Sequence, residues 1–214
     1  MNKIFDPNNK FNIFMSRVWD LMVLNLLFLI TSLPIVTIGA ASTALYTVCF
    51  RFGTEREEGT VKSYFQAFRD NLKQSTALGL ILAVFLGLSL FSLMFFYGAE
   101  GMIHSLYFIP AFGLGLGILV FCMAFPLLSQ FDNTLGATLK NSLILGIAYL
   151  PKVLVLAILH LLPFALFFLD LYVFMRIGFI FFLFHFAFTA YAGAKLLKKP
   201  FQVLVDNASE EEPA

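Results

Sequence analysis

Five long runs of the chain contain no Asp, Glu, Lys or Arg, and their lengths predict a membrane protein. They cover residues 21–50, 74–99, 101–131, 153–169 and 177–194. A helix that crosses the hydrocarbon core of a bilayer needs about 20 mostly apolar residues. We therefore predict an all-α fold, a polytopic transmembrane helical bundle with five hydropathy spans.

The first run is too long for one crossing. Its 30 residues would make about 45 Å of helix, against about 30 Å of hydrocarbon. It is interrupted at Thr31-Ser32-Leu33-Pro34 and again at Gly39, which are residues that break or bend helices. The pattern favours a broken hairpin of two shorter helices, one ending near Leu33 and one over 40–50. The bundle then has six helices, and the hairpin makes either two crossings or a re-entrant pair.

The distribution of positive charge predicts the orientation. The densest cluster of Lys and Arg between spans lies in 51–73, whereas 98–107 contains neither. Because cytoplasmic loops are enriched in Lys and Arg, the first segment is expected inside and the second outside. Lys195, Lys198 and Lys199 place the C-terminus in the cytoplasm. We predict one membrane domain over 1–205 and a disordered acidic tail over 206–214.

One segment outside the spans has a clear helical pattern. Apolar side chains recur at Val61, Tyr64, Phe65, Phe68 and Leu72, which form one stripe of a helix, while charged residues occupy most other positions. This predicts an amphipathic helix over about 60–74 that lies in the cytoplasmic interface. It either anchors the adjoining span or docks a partner through Tyr64, Phe65, Phe68 and Leu72.

Composition narrows the classes of function. The chain is 60% hydrophobic and only 13% charged, and 14 basic residues balance 13 acidic ones. A soluble domain needs more charge to cover its surface, and nucleic-acid binding needs a basic excess. We therefore expect the lipid bilayer to surround the protein and do not expect nucleic acid as a partner. The sequence does not indicate an oligomeric state.

The chain lacks the usual catalytic and cofactor motifs. Nucleotide-binding, zinc-protease and acyl-enzyme signatures are absent from the sequence, and Cys49 and Cys122 have no neighbouring metal ligands. We expect no enzyme activity, no cofactor and no metal. His104, His160 and His185 lie in or near spans, where a neutral histidine bonded to a neighbouring group is the simplest interpretation.

The N-terminal third carries a series of ordered short motifs. They are Phe5-Asp6, Arg17-Val18-Trp19-Asp20-Leu21, Asn25-Leu26-Leu27, Leu33-Pro34-Ile35-Val36-Thr37-Ile38-Gly39-Ala40 and Thr43-Ala44-Leu45-Tyr46. In this order they resemble the YesL family of bacterial membrane proteins. The resemblance implies the cell membrane of a Gram-positive bacterium and a link to carbohydrate uptake. The family has no established molecular activity, so no catalytic residue can be carried over.

The motif residues are nevertheless candidates for function. They are Arg17, Asp20, Asn25, Pro34, Thr37 and Gly39. The first two are spaced to form an ion pair at the boundary of the first helix, and the buried amide of Asn25 needs a partner on another helix. The break over 33–39 frees backbone groups. It is either a binding site of the kind found in transporters or a simple hairpin turn.

Three functions are compatible with these observations. The first is an accessory partner of an ABC-type permease in oligosaccharide uptake, which the resemblance implies. The second is a small transporter or channel in its own right, built on the broken helix and on a faint repeat between 72–80 and 139–147. The third is a membrane scaffold or regulator that acts through the cytoplasmic segment.

Overall fold

The computed structural model describes residues 10–54, 59–169 and 171–210, and in these ranges the chain is all-helical, as predicted. Seven α-helices are connected by short loops and two 3₁₀ turns, and these ranges contain no strand. The α-helices are α1 (Lys10–Thr31), α2 (Ile38–Arg51), α3 (Thr60–Tyr97), α4 (Phe108–Leu128), α5 (Leu135–Ala148), α6 (Leu150–Leu169) and α7 (Leu171–Glu210). The 3₁₀ turns are Ile35–Thr37 and Gly101–Tyr107.

The first apolar run forms two helices, as its break predicts. Helix α1 ends at Thr31, the turn Ile35–Thr37 follows, and α2 begins at Ile38. The two helices are antiparallel. At one end the guanidinium of Arg17 lies 3.9 Å from the ring centre of Phe52, and at the other the Thr37 hydroxyl donates to the Thr31 carbonyl.

Helix α2 lies at the centre of the bundle. Its 14 residues make about 21 Å of helix, and eleven of them are buried. Small residues at Ala40, Ala41 and Ala44, none of which has exposed surface, allow neighbouring helices to approach closely. The helix packs mainly against α3 and α7.

Helix α3 is one continuous helix of 38 residues, about 57 Å long. The segment 60–74, predicted to be a separate interfacial helix, forms its first four turns instead. The reason is local, because 71–76 contains neither Gly nor Pro and nothing interrupts the helix at the junction. Tyr64, Ala67, Leu78 and Leu82 all face the core from this single helix.

The remaining helices complete the bundle. Helix α4 packs on α3 and α5, and α6 packs on α7. Helix α7 contains the fifth apolar run, although several side chains over 173–182 lie outside the described set. It continues to Glu210, which places 206–210 of the predicted disordered tail in a helix. Residues 211–214 lie outside the described ranges.

The surface is apolar, unlike that of a soluble protein, and several polar groups lie within the otherwise apolar interior. Val84, Leu88 and Phe91 on α3 are each more than 60% exposed, whereas Asn25 and Ser75 have no exposed surface. Four helical stretches in the described part of the chain are long and apolar enough to cross a membrane. They are Phe11–Thr31, Thr60–Tyr97, Ile103–Leu128 and Leu150–Leu169. An apolar surface of this extent is typical of a protein embedded in lipid.

Candidate functional site

The break between α1 and α2 is a closed turn. The amide of Ser32 donates to the carbonyl of Phe28 at 2.9 Å, and the amide of Thr37 donates to the carbonyl of Pro34 at 2.9 Å. The Thr37 hydroxyl lies 2.6 Å from the Thr31 carbonyl and 2.7 Å from the Pro34 carbonyl. These contacts satisfy backbone groups that the break releases, which favours the hairpin-turn interpretation over an open binding site.

Gly39 marks the closest approach between α2 and α3. A Cβ atom placed on Gly39 would lie 2.2 Å from the carbonyl oxygen of Ser75 and 3.3 Å from the Cα of Gly79. Beside this contact the Ser75 hydroxyl donates to the Thr43 hydroxyl at 2.9 Å. Gly39 is therefore needed for backbone proximity, because any side chain would push the two helices apart.

Asn25 has the partner on another helix that its sequence position predicts. Its side chain has no exposed surface, and its Oδ1 accepts a hydrogen bond of 3.1 Å from the backbone amide of Ala187 on α7. One helical turn further along α1, the ring centre of Phe28 lies 4.8 Å from that of Phe186. These contacts fix the position of α1 relative to α7.

Arg17 and Asp20 lie together near the open end of the hairpin. Arg17 Nη1 is 3.9 Å from Asp20 Oδ2, and Asp20 Oδ1 accepts a hydrogen bond of 2.8 Å from the Thr60 hydroxyl at the start of α3. The guanidinium also stacks on Phe52, just beyond α2. The pair thus connects α1 to the start of α3 and to the residue that follows α2.

The four predicted docking residues divide into an inner and an outer pair. Tyr64 has no exposed surface, and its hydroxyl bonds the Thr31 hydroxyl at 2.7 Å. Phe68 is partly buried and stacks on Tyr64, with ring centres 6.4 Å apart. Tyr64 is therefore a core residue, because its side chain faces α1 while other members of the predicted stripe do not.

Phe65 and Leu72 remain accessible. Phe65 is 48% exposed and Leu72 is 36% exposed. Together with Val61 they form an apolar strip along the outer side of the first turns of α3, and Lys62 and Arg69 flank it. We call these five residues the α3 outer face. Its use as a docking surface remains a prediction.

A central cavity of about 630 Å³ lies beside the hairpin turn. Its wall comes from α1, α2, α3, α4, α6 and α7, and it is mostly apolar, with Phe28, Phe121 and Phe186 among the lining residues. The sequence patterns did not single out this site as a whole. The signal available was the polar residues Ser32, Tyr46 and Thr189 inside otherwise apolar runs.

The histidines do not form a metal site within the described residues, which contain no group of three or more metal-ligating side chains. The Nδ1–H of His160 donates to the Leu156 carbonyl at 2.8 Å, one turn back in its own helix. His185 packs edge-on against Phe186. His104 lies apart from both, beside Tyr97 and Tyr107. His160 and His185 both line the central cavity.

Comparison with known proteins gives one family match. Residues 21–93 match the family described as "Protein of unknown function, DUF624". The matched stretch contains the second half of α1, all of α2 and most of α3, and so includes Asn25, Gly39 and Tyr64. No curated protein and no solved structure matches the chain. The more specific resemblance to the YesL family stays a prediction.

Proposed function

We propose that this chain is a non-enzymatic protein of the bacterial cell membrane that assists carbohydrate uptake as an accessory partner of an ABC-type permease. The observation that carries the proposal is the α3 outer face. It presents accessible Phe65 and Leu72 beside the charged residues Lys62, Arg69 and Asp70, on a helix that Tyr64 anchors in the core. A rigidly held strip that mixes apolar and charged groups suits a protein partner.

The central cavity is a poor site for a sugar, and this favours the accessory role over a stand-alone sugar carrier. An oligosaccharide carries many hydroxyl groups, and each one that is buried without a hydrogen bond costs free energy. The cavity wall contains few polar groups and none of the Asp, Glu, Asn, Gln or Arg side chains that could bond several hydroxyls. The closed turn at Thr37 likewise leaves little open backbone for a ligand.

We also propose that the α1–α2 hairpin is re-entrant rather than a pair of full crossings. Helix α2, at about 21 Å, is shorter than the hydrocarbon core. Gly39, just after the turn, packs on Ser75 and Gly79, and α3 continues for about 27 Å beyond Gly79. The turn therefore stops well short of the far end of α3. With this arrangement both termini lie in the cytoplasm, as does the α3 outer face.

The experiment is a pull-down of the C-terminally tagged protein from native membranes in a gentle detergent, with the recovered proteins identified by mass spectrometry. We compare the natural chain with Phe65→Ser/Leu72→Ser. The control is Val203→Ser/Val205→Ser, which alters two similarly exposed apolar residues on α7. The proposal expects permease subunits in stoichiometric amounts with the natural chain and the control, and at least fivefold less with the α3 variant.

Two results would contradict the proposal. Recovery of the chain alone, or only with copies of itself, would favour an independent carrier. Flux of an oligosaccharide into liposomes that contain only this protein would do the same. A deletion strain gives the physiological readout, in which growth on oligosaccharides should slow and be restored by the natural gene but not by Phe65→Ser/Leu72→Ser.

A further inference from the structure

A second cavity, of about 540 Å³, lies between the start of α1, the end of α2 and the later part of α7. Three basic side chains line it, Arg17, Lys195 and Lys198, and no Asp or Glu of the described ranges does so. When Asp20, the ion-pair partner of Arg17, is counted as well, two positive charges remain. The adjoining cavity shares Lys198 but also contains Asp206, so its excess is smaller. We call the first cavity the basic pocket, and its charge favours an anionic ligand.

Two of the three cations rest on an aromatic pair. The rings of Phe52 and Tyr191 meet edge to face, with their centres 6.0 Å apart. The guanidinium carbon of Arg17 lies 3.9 Å from the ring centre of Phe52, and the ammonium nitrogen of Lys195 lies 4.5 Å from that of Tyr191. Lys198 follows Lys195 by about one helical turn and so lies on the same side of α7. Because contact with the rings already restricts Arg17 and Lys195, less side-chain freedom is lost when a ligand binds.

The basic pocket lies beside apolar surface at one end of a membrane helix. Ile13 and Phe14 line it and are 52% and 60% exposed, and the candidate span Phe11–Thr31 begins here. Trp19, on the same helix, is 65% exposed, and exposed Trp is typical of the boundary between membrane and water. Basic and apolar groups therefore meet in one wall, as a phosphate and an acyl chain meet in a phospholipid. A soluble phosphate compound would make no use of the apolar part.

We propose that the basic pocket binds an anionic phospholipid, with Arg17, Lys195 and Lys198 around the phosphate and an acyl chain along Ile13 and Phe14. Basic pockets between membrane helices recognise lipid headgroups in this way. The site is separate from the α3 outer face, and the proposal does not rest on the partnership with a permease.

The test uses the full-length protein in phosphatidylcholine vesicles, in which a tenth of the lipid is brominated phosphatidylglycerol or brominated phosphatidylcholine. Trp19→Phe/Phe14→Trp places the single tryptophan in the wall of the basic pocket. We expect brominated phosphatidylglycerol to quench its fluorescence at least threefold more strongly than brominated phosphatidylcholine. The natural chain is the reference. Its Trp19 does not line the pocket and should distinguish the two lipids much less.

Charge variants in the Phe14→Trp background identify the groups that bind the lipid. Lys195→Gln/Lys198→Gln should abolish the preference for phosphatidylglycerol. Lys140→Gln/Lys199→Gln is the matched control, because it removes the same charge from two exposed lysines outside the lining, and it should keep the preference. Lys195→Glu/Lys198→Glu is a second test, in which phosphatidylglycerol should quench less than phosphatidylcholine.

Inorganic phosphate separates a lipid from a soluble ligand. Added at millimolar concentration and constant ionic strength, it should leave the quenching by phosphatidylglycerol unchanged. Recovery of fluorescence would overturn the lipid and indicate a soluble phosphate compound instead. Equal quenching of the Phe14→Trp reporter by the two lipids would overturn the site. An equal loss of preference in the two glutamine variants would also overturn it, because only the overall charge would then matter.

Discussion

Gly39 packs against the backbone of Ser75 so closely that a single methyl group on Gly39 would lie 2.2 Å from the Ser75 carbonyl oxygen. The clash is with backbone inside a continuous helix, so it cannot be relieved by a side-chain rotation. This contact sets the separation of α2 and α3 and, with it, the position of the hairpin turn beside the central cavity.

Replacing Gly39 with Ala should therefore destabilise the fold. We expect the free energy of unfolding to fall by about 1–3 kcal/mol, the usual cost of overpacking a tight core. The measurement is the Tm in detergent, obtained by size-exclusion chromatography of samples heated to increasing temperatures. Gly87→Ala is the matched control, because nothing lies within 4 Å of a Cβ at that helical position. It should be neutral or stabilising. Equal Tm values for the two variants would contradict the close contact.

Replacing Asn25 with Ala should loosen α1 from α7. The variant loses the acceptor of the Ala187 amide inside the bundle, and such a loss costs about 1–3 kcal/mol. Asn71→Ala is the control, because the Asn71 side chain bonds only one turn back to the Ala67 carbonyl and is partly exposed. A Tm shift at Asn71 as large as that at Asn25 would argue against the interhelical role.

Replacing Tyr64 with Phe tests whether this residue belongs to the core. The variant keeps the ring and its stacking on Phe68 but loses the bond to the Thr31 hydroxyl. We expect a loss of about 0.5–1.5 kcal/mol with no loss of partner binding in the pull-down. Tyr97→Phe, at a position that is 70% exposed, should leave the Tm unchanged. Loss of partner binding without a change in Tm would indicate that Tyr64 belongs to the docking surface.

The predicted topology can be tested by labelling single cysteines in intact cells with a membrane-impermeant maleimide. Cys49 and Cys122 are first replaced with Ala, and a cysteine is then placed at Asn8, Asn207 or Ser105. Both termini should be protected in intact cells and should label after lysis, whereas Ser105→Cys should label from outside. Asn8→Cys and Asn207→Cys labelling from opposite sides would show that the N-terminal hairpin makes one crossing.

The depth of the hairpin turn can be measured by fluorescence. Trp19 is the single tryptophan, so Trp19→Phe/Ile35→Trp places the only fluorophore in the turn, where Ile35 is 80% exposed. A re-entrant hairpin predicts the strongest quenching by lipids brominated near the ends of their acyl chains. Trp19→Phe/Tyr97→Trp is the reference at the far end of α3 and should be quenched best by bromines near the headgroup. Shallow quenching at Ile35 as well would indicate two full crossings.

Much of the N-terminal architecture follows from the sequence because its signals are local. Neighbouring residues are enough to predict the break over 33–39, the ion-pair spacing of Arg17 and Asp20, and the need of Asn25 for a partner. The identity of that partner could not be predicted from neighbouring residues. It is the Ala187 amide, 162 positions away, and only the packing of α1 on α7 brings it close to Asn25.

The differences between the predicted and the observed structure have a common physical origin. The alternation of charged and apolar residues over 60–74 describes one helix face correctly, but it does not reveal what that face meets. Tyr64 turns inward because α1 lies there, and α3 continues past Lys73 because no residue stops it. The cavity is equally invisible in the sequence, since its wall is assembled from six helices.

The continuity of α3 has a mechanical consequence. One unbroken rod, without a proline along its 38 residues, carries Phe65 near its start, Ser75 against the hairpin, Leu86 at the cavity and Tyr97 at its end. This helix therefore connects these four positions directly over about 57 Å. We therefore expect a partner that displaces the first turns of α3 to shift the cavity wall at Leu86 as well.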